Sequence, residues 1–72
     1  MIRLEVDINR REGHRTIVIP EQSVLGKDLK VGTTVVLYEP GMECEAILRH
    51  GKDWPWVADI IEGTIKKLPL DE

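Results

Sequence analysis

The chain opens with a strict alternation of apolar and polar side chains. The apolar set is Ile2, Leu4, Val6 and Ile8, and the polar set is Arg3, Glu5, Asp7 and Asn9. Successive side chains of an extended strand point to opposite faces, so this pattern predicts a β-strand with one buried face. A polar stretch over residues 9–13 interrupts it. A second strand-like segment follows over residues 14–19, with Ile17, Val18 and Ile19 as its apolar residues, and Pro20 ends it. The two runs therefore predict a β-hairpin closed by a glycine-containing loop.

The rest of the chain repeats this strand-and-turn organisation. Residues 33–39 are apolar on both alternating sets, as in a central strand covered on both faces. Pro40-Gly41 has the chemistry of a type II turn, and residues 42–48 then predict a strand with one buried and one acidic face, broken only by an outward Ile47. Residues 54–61 and 64–68 predict two further short strands. The segment from 21 to 32 is irregular and favours a long loop or a short helix.

Composition supports an all-β fold. Nineteen residues are β-branched (eight Ile, seven Val, four Thr) and only two are Ala, a balance that favours strands. Five or six short strands with turns every eight to twelve residues indicate a small antiparallel barrel. We expect residues 1–72 to form a single small β-barrel domain with at most one short helical turn.

Two known folds resemble parts of the chain. Residues 29–68 resemble SH3-like barrels of the Tudor and KOW kind, in the strand entry at 29–32, the strand 44–48 after a tight turn, the strand 56–58 and the closing segment 65–68. This resemblance implies a binding module.

Residues 13–48 are similar to the swapped-hairpin DNA-binding domains of AbrB-type regulators and antitoxins. The similarity lies in Arg15-Thr16-Ile17-Val18-Ile19-Pro20 and Leu29-Lys30-Val31-Gly32. It implies an intertwined dimer in which Arg10, Arg11 and Arg15 contact phosphates and base edges.

Two groups of residues are candidates for binding. Arg10, Arg11, His14 and Arg15 lie in one predicted loop, and arginine suits bidentate recognition of phosphate or carboxylate. A solvated loop whose charges maintain solubility is the alternative interpretation. Tyr38, Trp54 and Trp56 form the second group. The two tryptophans are two residues apart and therefore share one face of a strand, where they either fill a core that lacks Phe or form an exposed platform for a peptide or an unstacked base.

The sequence offers little for catalysis. It contains one Ser, one Cys and two His, and no recognisable catalytic motif. Cys44 shares an alternating set with apolar neighbours, which predicts a small buried side chain rather than a nucleophile. His14, Cys44 and His50 lack the short spacing of structural zinc sites. We therefore expect no enzymatic activity, no metal and no cofactor.

Charge and hydropathy restrict the choice of partners. The net charge is −3, no signal peptide or membrane-spanning apolar run is visible, and a single cysteine excludes an intramolecular disulfide. We expect a cytoplasmic protein that does not insert into a membrane and that acts as an interaction or regulatory module for a protein partner. The alternative is a dimeric DNA-binding regulator or antitoxin, and a homodimer is compatible with either function.

Overall fold

The computed structural model describes residues 1–69, and within this range the chain forms six strands and one short helix. The strands are β1 (Arg3–Glu5), β2 (Thr16–Val18), β3 (Thr34–Glu39), β4 (Met42–Arg49), β5 (Val57–Ile60) and β6 (Lys66–Lys67). Helix α1 (Glu21–Val24) is a single turn that follows Pro20. The expectation of a small all-β fold with five or six strands and at most one short helical turn is confirmed. No helix in residues 1–69 is long and apolar enough to cross a membrane.

Strand β4 is the centre of the sheet. One of its edges pairs with β3 along the whole length of that strand, from Thr34↔Ile47 to Glu39↔Met42. The other edge pairs with β6 at its beginning and with β5 at its end. The sheet then continues to β1 beyond β3 and to β2 beyond β5. Ile47 remains in regular register with Thr34 of β3 and Asp59 of β5, so its outward side chain belongs to an uninterrupted strand.

The predicted hairpin between the first two apolar runs is wrong. Strand β1 pairs with β3, and the pairing is parallel, from Arg3↔Val36 to Glu5↔Tyr38. Strand β2 pairs antiparallel with β5 instead. The local hairpin is smaller: Arg11 forms an isolated bridge with Ile17, and the Val18 amide donates to the Arg10 carbonyl at 3.0 Å. Alternation indicates which side chains of a strand are buried, but it does not identify the neighbouring strand.

The core is aliphatic and is assembled from every strand except β6. Its members are Leu4, Val6, Ile8, Ile17, Ile19, Val35, Leu37, Cys44, Ala46, Leu48, Ala58 and Ile60. Alternate residues of β4 supply its middle, as the sequence predicts. Strand β3 differs from the prediction of a strand covered on both faces, because Val35 and Leu37 are buried on one face while the residues of the other face are only partly buried. Trp56 is partly buried against this core, whereas Trp54 remains 41% exposed. Both tryptophans precede β5, which begins at Val57, so the prediction that they share a strand face is wrong.

The turn between β3 and β4 confirms the sequence prediction. Pro40 and Gly41 are the only residues between the two strands, and Gly41 has a φ of 88°. A type II turn requires a positive φ at its third position, which glycine adopts without steric cost. The turn brings Glu39 directly opposite Met42 and thereby sets the register of the longest strand pair.

Candidate functional site

Three segments that are distant in the sequence enclose a cleft of about 730 Å³. Residues 5–7 and 10, at the end of β1 and in the turn after it, form one wall. Residues 18–24, from the end of β2 through α1, form the second. Residues 53–56, in the loop before β5, form the third. We call this feature the cleft.

Hydrogen bonds hold the first two walls together. The Asp7 carboxylate accepts from the Asn9 amide at 2.9 Å, and the Asp7 carbonyl accepts from the Arg10 amide at 2.9 Å, which closes the turn after β1. Ser23 Oγ donates to the Glu5 carbonyl at 2.5 Å and so ties α1 to the end of β1. These hydrogen bonds within the chain fix the first two walls relative to each other.

The third wall is fixed in the same way. The Gly51 amide donates to the Trp54 carbonyl at 3.0 Å, and the Ile19 amide donates to the Trp56 carbonyl at 3.1 Å. His50 Nδ1 lies 3.0 Å from the Pro55 carbonyl oxygen, and the His50 ring lies 4.6 Å from the Trp56 ring between centroids. These contacts hold Trp56 as a wall of the cleft.

Trp54 is the exposed aromatic surface of the cleft. Arg10 lies over its ring, with Cζ 5.5 Å from the ring centroid. This distance is within the range of a cation–π interaction. The structure thus joins one member of the predicted basic group to one member of the predicted aromatic group, although the sequence does not connect them.

The charge of the cleft is mainly negative. Its acidic members are Glu5, Asp7, Glu21 and Asp53, and Arg10 is its basic member. None of these five side chains forms a salt bridge with another residue in the range 1–69. The cleft therefore carries an excess of three negative charges, which disfavours phosphate and favours a cationic group.

The other predicted basic residues are engaged elsewhere. Arg11 donates from Nε to the Ile8 carbonyl at 3.0 Å and from Nη1 to the His14 carbonyl at 2.9 Å. Arg15 lies 3.8 Å from Glu62 across an exposed ion pair. His14 is exposed. The guanidinium groups of Arg10, Arg11 and Arg15 thus contact three different regions.

Tyr38 lies apart from the two tryptophans. It belongs to β3, where the Arg3 guanidinium lies over its ring with Cζ 5.0 Å from the centroid. Arg3 also pairs with Glu43 at 3.2 Å. Tyr38 does not line the cleft, so of the three predicted aromatic residues only Trp54 and Trp56 come together.

A second polar cluster joins β2, β5 and β4, which are neighbours in the sheet. Asp59 accepts from Thr16 Oγ1 at 2.6 Å and from Arg49 Nε at 2.6 Å, with a second arginine bond from Nη2 at 3.2 Å. The Arg49 hydrogen bond holds the pKa of Asp59 below its ordinary value, with a smaller contribution from Thr16, and it raises the pKa of Arg49. No spacing in the sequence connects these residues, because they meet only through the pairing of β2, β5 and β4. The cluster links these strands and is about half exposed.

The residues considered for nucleophilic or metal chemistry are dispersed. Cys44 is buried in the core, as predicted, and this burial raises the pKa of its thiol. In the part of the chain that the structure describes, no group of three His, Cys, Asp or Glu side chains could hold a metal ion.

The fold and the cleft together define a small all-β protein with an aromatic and acidic groove. No family model matches the chain, and no curated protein or solved structure shows significant similarity to it.

Proposed function

We propose that this protein is a non-enzymatic interaction module that binds an extended segment of a partner protein in the cleft. The observation that carries the proposal is Trp54, a large apolar side chain that is 41% exposed at a groove whose walls are already held by backbone hydrogen bonds. Exposed tryptophan is enriched among residues that dominate binding energy at protein interfaces. A preformed groove also reduces the entropy that binding must overcome.

The shape and polarity of the cleft support a peptide as its ligand. Trp54, Pro55 and Trp56 provide apolar surface, and the acidic side chains surround it with polar groups. Binding grooves in proteins combine an apolar lining with a few polar groups that orient the ligand. Because the excess charge is negative, a nucleic acid backbone would be repelled at this surface.

The proposal is tested by selection from a random dodecapeptide display library on the immobilised protein, followed by ¹⁵N NMR titration with the selected peptides. We expect shifts concentrated in residues 5–10, 18–24 and 53–56. Trp54→Ala should weaken binding by about 2 kcal/mol or more, as at an interface hot spot. Ile47→Ala is the matched control, because Ile47 has nearly the same exposed fraction, 42%, and lies outside the cleft. Shifts that ignore the cleft, or a Trp54→Ala variant that binds as well as the parent, would contradict the proposal.

A DNA duplex serves as the comparison ligand. The AbrB-like alternative predicts shifts in residues 9–16 that weaken steeply as salt is raised, because phosphate contacts release counterions. A peptide module predicts no such response. Salt-sensitive shifts of this kind would replace the peptide proposal with the DNA-binding one.

A further inference from the structure

The Arg10 side chain lies over Trp54, although acidic side chains line the same cleft. Four carboxylates line the same cleft, yet the Arg10 side chain forms neither a salt bridge nor a hydrogen bond with any of them within residues 1–69. Its backbone is held, since the Arg10 carbonyl accepts from the Val18 amide at 3.0 Å. Among residues 1–69, the contact recorded for the guanidinium is with the indole face of Trp54, with Cζ 5.5 Å from the ring centroid.

Such a contact is easily exchanged. A cation–π pair at an exposed site contributes only enough to change an affinity about two- to fivefold. Arg10 and Trp54 are both exposed, so the guanidinium can leave the ring at small cost while the backbone of the turn stays in place. The indole face then becomes available to another cation.

The carboxylates of the cleft favour a cationic group on the face of the Trp54 indole. When Arg10 turns away, Glu5, Asp7, Glu21 and Asp53 remain along the cleft without a basic partner among the described residues. Apolar walls concentrate the field of such charges, which strengthens the attraction for a cation. An ammonium or guanidinium group would gain both the aromatic face and these carboxylates.

We propose that the partner segment is basic and places a lysine or arginine side chain over Trp54, where it replaces Arg10. Arg10 then acts as an internal competitor that occupies the cation position of the free protein. This inference rests on the proposed function, since it specifies the chemistry of the peptide that the cleft binds.

Three peptides of equal length test the inference. They are acetyl-Gly-Ser-Lys-Leu-Lys-Pro-Lys-Ser-Gly-amide and its analogues with all three lysines replaced by glutamine or by glutamate. Binding is followed by the NMR signal of the Trp54 indole and by the amides of the cleft. We expect the lysine peptide to bind roughly tenfold more tightly than the glutamine peptide, and the glutamate peptide to leave the cleft signals unchanged.

One variant tests Arg10 as the competitor, and a second separates recognition on the indole from general charge attraction. Arg10→Ala should bind the lysine peptide about two- to fivefold more tightly, because the competitor is gone. Trp54→Leu keeps an apolar side chain but removes the aromatic face, so it should reduce the preference for lysine over glutamine. Ile47→Ala should leave both affinities unchanged.

The outcomes separate this inference from the function on which it rests. The proposed cation position over Trp54 is refuted if the glutamine peptide binds the cleft as tightly as the lysine peptide, or if Arg10→Ala weakens binding of the lysine peptide. Either result leaves the proposal of a peptide-binding module intact. If neither the three peptides nor any selected from the library shifts the cleft signals, both proposals fail.

Discussion

Trp54 and Trp56 are separated only by Pro55, yet their environments differ. Trp56 packs against the core and the His50 ring, whereas Trp54 faces the cleft beneath Arg10. Pro55 has no backbone N–H to donate to a neighbouring strand, so the segment 54–56 does not extend β5, which begins at Val57. The sequence left open whether the two indoles fill a core that lacks Phe or form an exposed platform, and the structure divides them between these two environments.

At the same scale, Gly51 is required by a close approach. A Cβ at this position would lie 2.8 Å from the Trp54 carbonyl oxygen and 2.8 Å from Val57 Cγ1. We expect Gly51→Ala to destabilise the protein by about 1–3 kcal/mol, as other overpacking substitutions do, and to shift the Trp54 indole signal. Gly13→Ala is the control, because a Cβ there meets nothing within 4 Å. Equal denaturation midpoints for the two variants would contradict this account of Gly51.

At the scale of elements, the loop between β1 and β2 has an internal structure that its sequence does not reveal. From its sequence the loop can be interpreted as a solvated charged segment. On that interpretation, Arg11→Ala would leave the free energy of unfolding unchanged. The Arg11 guanidinium instead connects the Ile8 and His14 carbonyls. The loop is therefore organised around a side chain that was predicted to bind a ligand.

We expect Arg11→Ala to lower the free energy of unfolding by about 1 kcal/mol, the usual net value of such hydrogen bonds at a partly exposed site. Arg10→Ala should change it much less, since the Arg10 side chain forms no hydrogen bond within the described range and only a weak contact with Trp54. Urea denaturation of the two variants measures the difference. A neutral Arg11→Ala would show that the loop does not need these bonds.

The cluster that joins β2, β4 and β5 predicts a pH dependence. The Arg49 hydrogen bond lowers the pKa of Asp59 in the folded state, so the contact stabilises the fold fully above the unfolded pKa, about 4. Its contribution is lost as the pH falls through the lower folded pKa. Asp59→Asn should therefore show a shallower loss of stability below about pH 4, measured by thermal melts across the acid range.

Asp28→Asn is the reference for this experiment. Asp28 is exposed and forms no salt bridge with residues in the described part of the chain. Its substitution should leave the acid profile of the parent unchanged. If Asp59→Asn loses stability as steeply as the parent in acid, the link between the three strands does not depend on the Asp59 charge.

At the scale of the whole molecule, strands that are far apart in the sequence contribute to one core. Leu4 of β1 and Ala58 of β5 are both fully buried in the same cluster, although more than fifty positions separate them. Pairings between β1 and β3 and between β2 and β5 join segments that are distant in sequence. We therefore expect unfolding to be cooperative, with no strand that is stable alone.

Ala46→Asp tests this common core. Ala46 is fully buried in β4, opposite Val35 on one side and Ile60 on the other, so the substitution buries an unpaired charge. We expect the cooperative thermal transition to disappear. Val31→Asp adds the same charge at a position that is 56% exposed and should retain the transition. A cooperative melt of Ala46→Asp would refute the observed register of β4.

Local chemistry determined which side chains are buried and where the tightest turn lies. Alternation placed Leu4, Val6 and Ile8 in the core even though the regular strand ends at Glu5, and Pro40-Gly41 defined its turn through backbone preferences of those residues alone. These features depend on a few neighbouring residues, so the sequence by itself is sufficient to predict them.

The tertiary structure decided which strands are neighbours and therefore which functional side chains meet. Several apolar strands can in principle pair with one another, and the choice depends on how all of them pack together. The parallel pairing of β1 with β3 allows β2 to reach β5, which places Arg10 over Trp54 and Thr16 beside Asp59. The cleft arises from these long-range pairings, and this is why the separate basic and aromatic groups in the sequence did not predict it.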